Sequence, residues 1–298
     1  MIASHYGEFA ALLTAFFWTI TALAFEDATI RVGTFAVNII RLTFAFVFLS
    51  ILNYFMRGIA FPVDASLHAW GWLALSGIIG LLLGDLFLFA SYPIISSRIA
   101  MLIMTLAPPM AAILGWFILD ETMSFAAIFG MLLVIGGISL TIWSRTAGEK
   151  KFKLNYPVKG LFFAFLGAFG QALGLVLSKL GMGEYSPIAA TQIRVFAGVI
   201  GFVIVITILK RWKNVFKTFS DKKALKVITL GSIFGPFLGV SFSLIAVQHT
   251  NTGIASTIMS IVPILIIPPV ILIYKQKVNI KEIIGAGISV VGVALFFV

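Results

Sequence analysis

The chain has 298 residues, 60% of them hydrophobic and 11% charged, with a mean hydropathy of +1.10 and a formal net charge of +10. Such a balance leaves too little polar surface for a water-soluble domain, so the chain reads as an integral membrane protein whose positive charge faces lipid headgroups rather than nucleic acid. There is no cysteine, which excludes disulfides and thiolate metal sites.

The apolar runs are about twenty residues long, the length of a spanning helix and twice that of a barrel strand. The N-terminus, MIASHYGEFAALL, lacks the basic region of a signal peptide, so the first run is expected to remain as a span. Ten spans are predicted: 7–25, 34–56, 67–91, 96–119, 125–144, 158–180, 187–209, 225–247, 253–274 and 280–298. The longer connections, 145–157 and 210–224, are too short for a catalytic domain.

The stretch Leu75 to Glu121 occurs twice. Adding 155 to each number carries Gly80 to Gly235, Gly84 to Gly239, Phe87 to Phe242, Ala100 to Ala255, Met104 to Met259 and Pro108 to Pro263. Gly130 and Gly137 meet Gly285 and Gly292 at the same offset; upstream the offset is 153, where Gly7 meets Gly160, Trp18 meets Gln171 and Arg41 meets Arg194. Five spans repeat as five, and an odd number forces the second copy to enter the membrane from the opposite side. The expected fold is all-α: ten transmembrane helices as two inverted five-helix repeats, residues 1–148 and 149–298, around a central cavity. Such pairs place a binding site near the midplane.

Loop charge sets the orientation. Arg31, Arg98, the cluster from Arg145 to Lys159, the cluster from Lys210 to Lys226, and Lys275, Lys277 and Lys281 follow the odd spans; Arg57 and Lys179 lie on the other side. The positive-inside bias then puts the basic loops in the cytoplasm and both termini outside a cell membrane.

Trp18 in the first span, Ile40-Arg41-Leu42 and Ile193-Arg194-Val195 early in the second and seventh, and Ala107-Pro108-Pro109 and Val262-Pro263-Ile264 in helices that end near Asp120-Glu121 or its counterpart form a set. In order and duplication the set resembles the drug/metabolite transporter superfamily, EamA-type branch, over essentially the whole chain. That resemblance implies a carrier of small metabolites with the first and sixth helices lining its cavity, so Trp18 and Gln171 are candidates there. Thr19 stands where the family often has glycine. Trp18 and Gln171 cannot ionise, unlike the first-helix carboxylate that couples protons in small multidrug-resistance relatives.

A charge at the bilayer centre costs about 2.5–3.5 kcal/mol on insertion scales and needs a partner or water. Asp85 is the acidic residue well inside a span, and its repeat mate is Val240. It either serves substrate or proton, or forms an ion pair with Arg41 or Arg98. Arg41 and Arg194 are read first as structural charges bonding carbonyls or headgroups, with capture of a substrate anion as the second reading. Pro108, Pro109, Pro263, Pro268 and Pro269 are expected to kink the fourth and ninth helices. The GxxxG pairs Gly80/Gly84 and Gly235/Gly239, with Gly167, Gly170 and Gly174, are packing signals. Tyr92, Thr105, Gln192, Ser241, Ser256 and Ser260 are neutral hydrogen-bonding candidates for a cavity wall.

His5, His68 and His249 are scattered, and no metal-ligand, Walker or GxSxG motif occurs, so neither metal nor cofactor is expected. The expected activity is secondary transport, by export or exchange, of a small organic metabolite such as an amino acid. The partners are that solute and anionic lipids, and the working unit is a monomer. A membrane-embedded enzyme or a noncatalytic scaffold is the alternative.

Overall fold

The computed structural model describes residues 5–146, 157–266, 268–269 and 280–295. Ten membrane-spanning helices form two inverted five-helix repeats around a central cavity. The first repeat comprises α1 (Tyr6–Val32), α2 (Thr34–Arg57), α3 (Leu67–Ser76), a π-helical segment π1 (Gly77–Gly84), α4 (Asp85–Met104), α5 (Ala107–Leu119) and α6 (Phe125–Thr146). The second comprises α7 (Val158–Met182), α8 (Pro187–Ile208), a short α9 (Trp212–Thr218), α10 (Lys222–Ser232), a second π segment π2 (Ile233–Gly239), α11 (Val240–His249), α12 (Thr252–Met259), α13 (Val262–Leu265) and α14 (Ile280–Ala294).

Local sequence explains the ends. The Ser66 hydroxyl and the Asp221 carboxylate accept the backbone N–H groups of Ala69 and Ala224 at 3.1 and 2.9 Å, satisfying donors that a helix start leaves open. Gly58 ends α2 with φ of 71°, a left-handed conformation that glycine adopts without a Cβ clash. The first span runs to Val32 rather than to Phe25, because Arg31 pairs with Asp27 at 3.0 Å one turn back and lets a polar end stay helical.

Three features depart from ten uninterrupted helices. First, α4 is one run from Asp85 to Met104 with Pro93 inside, yet Asp85 and Met104 line the same hollow. A straight helix of that length would hold them about 28 Å apart. The chain therefore turns back within this run, where the Ser97 N–H and hydroxyl donate to Glu26 at 3.3 and 2.5 Å. Second, regular α-helix is interrupted in the fourth and ninth spans at Thr105–Leu106 and Ser260–Ile261, two places related by the offset of 155, where the backbone tightens to i→i−3 bonds. In each, proline follows at the start of the next helical piece, where its missing N–H costs nothing. Pro268 is exposed and Pro269 half-buried beyond the second break. Third, π1 and π2 occupy matched places, ahead of Asp85 and Val240 respectively.

The π segments sit where backbones cross closely. A Cβ on Gly77 would lie 2.3 Å from the Arg194 carbonyl oxygen, and one on Gly170 would lie 2.8 Å from the Gly84 Cα. The small residues thus seat the third span against α7 and α8, the close packing that such spacing allows in membranes. At the edge, α6 and α14 pack together, with the Ser289 hydroxyl donating to the Val134 carbonyl at 3.2 Å. Tyr274, Lys275, Lys277, Lys150, Lys151 and Lys153 lie outside the described residues.

Candidate functional site

Two adjoining chambers lie between the repeats. Trp18, Leu81, Met101, Met104, Gln171, Val240 and Val262 line both. The first chamber adds Thr105, Pro108, Arg194, Ser243, Ser256, Met259, Ser260 and Pro263. The second adds Thr21, Phe25, Arg41, Asp85, Phe89, Tyr92 and Pro236. Both broken spans deliver their break points to the first chamber, since Thr105, Pro108, Ser260 and Pro263 line it. Interrupted helices at a repeat interface are how carriers expose backbone polarity without exposing it to lipid.

Asp85 lies at the end of π1, 5% exposed, and makes an ion pair with an Arg41 terminal nitrogen. Its other oxygen accepts Gln171 Nε2 at 2.6 Å. Arg41 has further partners: its Nε donates to Asn38 Oδ1 at 2.9 Å, and its guanidinium lies over the Phe89 and Phe25 rings at 4.7 and 5.4 Å. A buried pair of this kind needs further bonds to hold it, and Asn38 and Gln171 supply one to each partner.

Arg194 is 3% exposed and lines the first chamber, and its Nε has no hydrogen-bond partner. It starts seven residues into α8 as Arg41 does into α2 (194 − 187 = 41 − 34 = 7), about 10 Å from the opposite faces. The two arginines are thus equivalent in the fold and unequal in their surroundings.

The remaining candidates separate. Trp18, Tyr92, Thr105, Gln171, Ser256 and Ser260 lie on chamber walls. Gln192 does not: it accepts from Asn53 at 2.7 Å and donates to Ser50 and the Ala60 carbonyl, both at 2.8 Å, joining α8 to α2. Ser241 returns its hydroxyl to the Phe237 carbonyl at 2.5 Å, and Ser243, two residues on, lines the chamber instead. Both arginines treated as structural charges face the chambers. Among the described residues no group of three or more His, Cys, Asp or Glu could hold a metal ion.

Sequence reasoning missed a cluster at the face opposite the basic loops. Glu121 accepts Lys179 Nζ at 2.6 Å, the Thr252 N–H at 2.8 Å and the Thr252 hydroxyl at 2.9 Å. Lys179 also donates to the Thr250 carbonyl at 2.7 Å, the Thr250 hydroxyl to Glu8 at 3.0 Å, and Asn251 to the Thr122 carbonyl at 2.6 Å. Glu8, Glu121 and Thr122 belong to the first repeat, the others to the second, so this set ties the halves together. At the other face, the bonds from Ser97 to Glu26 and from Arg31 to Asp27 stay within the first repeat. The signal available in sequence was the placement of Glu121 and Lys179 on the face poor in basic residues.

A helical bundle of inverted repeats around a polar-spotted cavity defines a polytopic membrane transporter. A family model of the EamA-like transporter family matches residues 5–143 and again 158–298, and the chain belongs to that family. It is 25% identical over 232 residues to Protein LicB of Haemophilus influenzae, covering 76% of this chain and 77% of that protein. A solved crystal structure has a TM-score of 0.71 with 19% identity, covering 98% of this chain and 96% of that one, which is a likeness of fold.

Proposed function

We infer that the protein is a secondary transporter, an exporter or exchanger, of a small organic metabolite of about amino-acid size. Its two halves, residues 1–148 and 149–298, rock against each other and expose the chambers to one side at a time. The observation that carries this reading is the pair of chambers between the halves together with the bonds that join the two repeats at the face of Glu121 and Lys179. The positive-inside bias supports a cell-membrane orientation with the basic loops in the cytoplasm and the bonded face outside. The working unit is a monomer among anionic lipids.

Solute-dependent flux into proteoliposomes tests the reading. Absence of flux across a broad metabolite panel would turn the choice to a membrane-embedded enzyme or a scaffold. Trp18, Gln171, Asp85 and the chamber serines are the proposed substrate wall. Within the carrier reading, Asp85→Asn impairs transport or shifts its pH dependence more than Arg41→Lys does. Unchanged transport by Asp85→Asn across pH removes Asp85 from the mechanism.

A further inference from the structure

The repeat offsets make the difference between the two arginines a residue-by-residue comparison. Arg41 is held by Asn38, Asp85, Phe25 and Phe89. The matched positions around Arg194 are Thr191, Val240, Ser178 and Leu244 (38 + 153, 85 + 155, 25 + 153, 89 + 155). Thr191 spends its hydroxyl on the Pro187 carbonyl at 2.8 Å, and Ser178 spends its own on the Gly174 carbonyl at 2.5 Å. Val240 and Leu244 have nothing to offer a cation. Every partner of Arg41 is therefore absent in the second repeat, while the burial and the guanidinium remain.

The charge that reaches Arg194 is that of Asp85, which Arg41 and Gln171 already hold. Of the charged side chains on the two chamber walls, Arg41 and Arg194 are positive and Asp85 negative, a net of +1. The start of α5, on the wall of the same chamber, has lost two backbone donors to Pro108 and Pro109. A buried guanidinium on the wall of an empty space, with no carboxylate bound to it, is stabilised by an anion that enters that space. The chamber wall carries apolar side chains, Trp18, Leu175, Met104 and Met259 among them, together with the neutral polar Gln171, Thr105 and three serines.

We propose that the transported solute is a small organic monoanion whose carboxylate docks on Arg194 and whose apolar body lies against Trp18, Met104 and Met259. This rests on the carrier reading and narrows it: a monoanion cancels the chamber's charge, whereas a zwitterionic amino acid leaves it at +1.

Equilibrium binding to the full-length protein purified in detergent tests this without flux. The probes are phenylacetate and isocaproate, with phenylacetamide, phenethylamine, phenylalanine and inorganic sulfate as comparators. The acids are expected to bind, at least about tenfold more tightly than the amide, amine, zwitterion or sulfate. Arg194→Gln is expected to weaken the acids about tenfold or more, and Asp85→Asn, which leaves the wall more positive, to tighten them. Val240→Asp restores the partner that Arg41 enjoys and is expected to weaken acid binding with Arg194 still in place. Failure of both acids to bind at millimolar concentration overturns the proposal, as does equal binding by any comparator or by Arg194→Gln. Flux of a neutral or cationic solute that survives Arg194→Gln would leave the carrier and remove the anion site. Acid binding with no flux of any solute would do the reverse.

Discussion

Replacing Glu121 by alanine should open the face that the cross-repeat bonds close. The side chain is 11% exposed and its partner Lys179 24%, so the ion pair is largely shielded from water. The substitution removes three acceptor bonds at 2.6, 2.8 and 2.9 Å while Lys179 keeps the Thr250 carbonyl at 2.7 Å. Hydrogen bonds to charged groups contribute about 1.5–3 kcal/mol each, and non-additivity within one cluster brings the net to about 3 kcal/mol. That shifts the closed-to-open equilibrium of this face about 100-fold. The chain has no cysteine, so a single introduced thiol reports on one place. Ala255, 0% exposed in the apolar core that packs α12 against α1, is such a place. With Ala255→Cys, the rate of maleimide labelling follows the open population, and Glu121→Ala should raise it about 100-fold. Ala45→Cys, 0% exposed in the core around α2, should label at an unchanged rate. Equal labelling of Cys at 255 with and without Glu121, or equal acceleration at both positions, would refute the gate.

Other expectations concern the frame. Gly77→Ala puts a methyl group 2.3 Å from the Arg194 carbonyl and should cost about 1–3 kcal/mol, read as a lower Tm, whereas Gly71→Ala, with nothing within 4 Å, should leave Tm unchanged or raised. Gln192→Ala strips three bonds and leaves Asn53 without its acceptor, a loss of about 2–3 kcal/mol in stability. Because Gln192 lies off both chambers, its removal should leave solute affinity of the folded fraction unchanged; a tenfold loss would return it to the substrate wall.

The fold was legible because its signals are global. Span length follows from bilayer thickness, and the gapless match of two glycines and a proline betrays duplication. The π segments were not legible: Gly80 and Gly84 read as close packing, and the extra residue per turn depends on how α7 and α8 press against that helix. The two prolines after Thr105 announced a disturbance in the fourth span but not the two residues, Thr105 and Leu106, at which regular α-helix is interrupted. At the site, Asp85 stood out because its charge is costly at that depth, and Arg41 was one of its two expected partners. Arg194 did not stand out, for the opposite reason. Duplication of Arg41 argued for a shared structural task, yet the task is defined by Asn38, Asp85, Phe25 and Phe89, none of which is duplicated.

That contrast points to a division of labour within the repeat. Matched features belong to the backbone: π1 with π2, and the break at Thr105–Leu106 with the one at Ser260–Ile261. They supply both halves with the same bends and close crossings, so in the proposed alternating cycle an exchange of the open face would change the packing of each half into something near that of the other. A few kcal/mol then suffices to bias the two states, the order of energy that the Glu121 cluster provides. Unmatched features are side chains, Asp85 against Val240 and Asn38 against Thr191, and they set the charge of the space between the halves. Movement is therefore written into the symmetric frame, while choice of solute and resting state depend on a handful of residues where the copies differ. The chemistry of this transporter should change by substitution at those positions without loss of its conformational cycle.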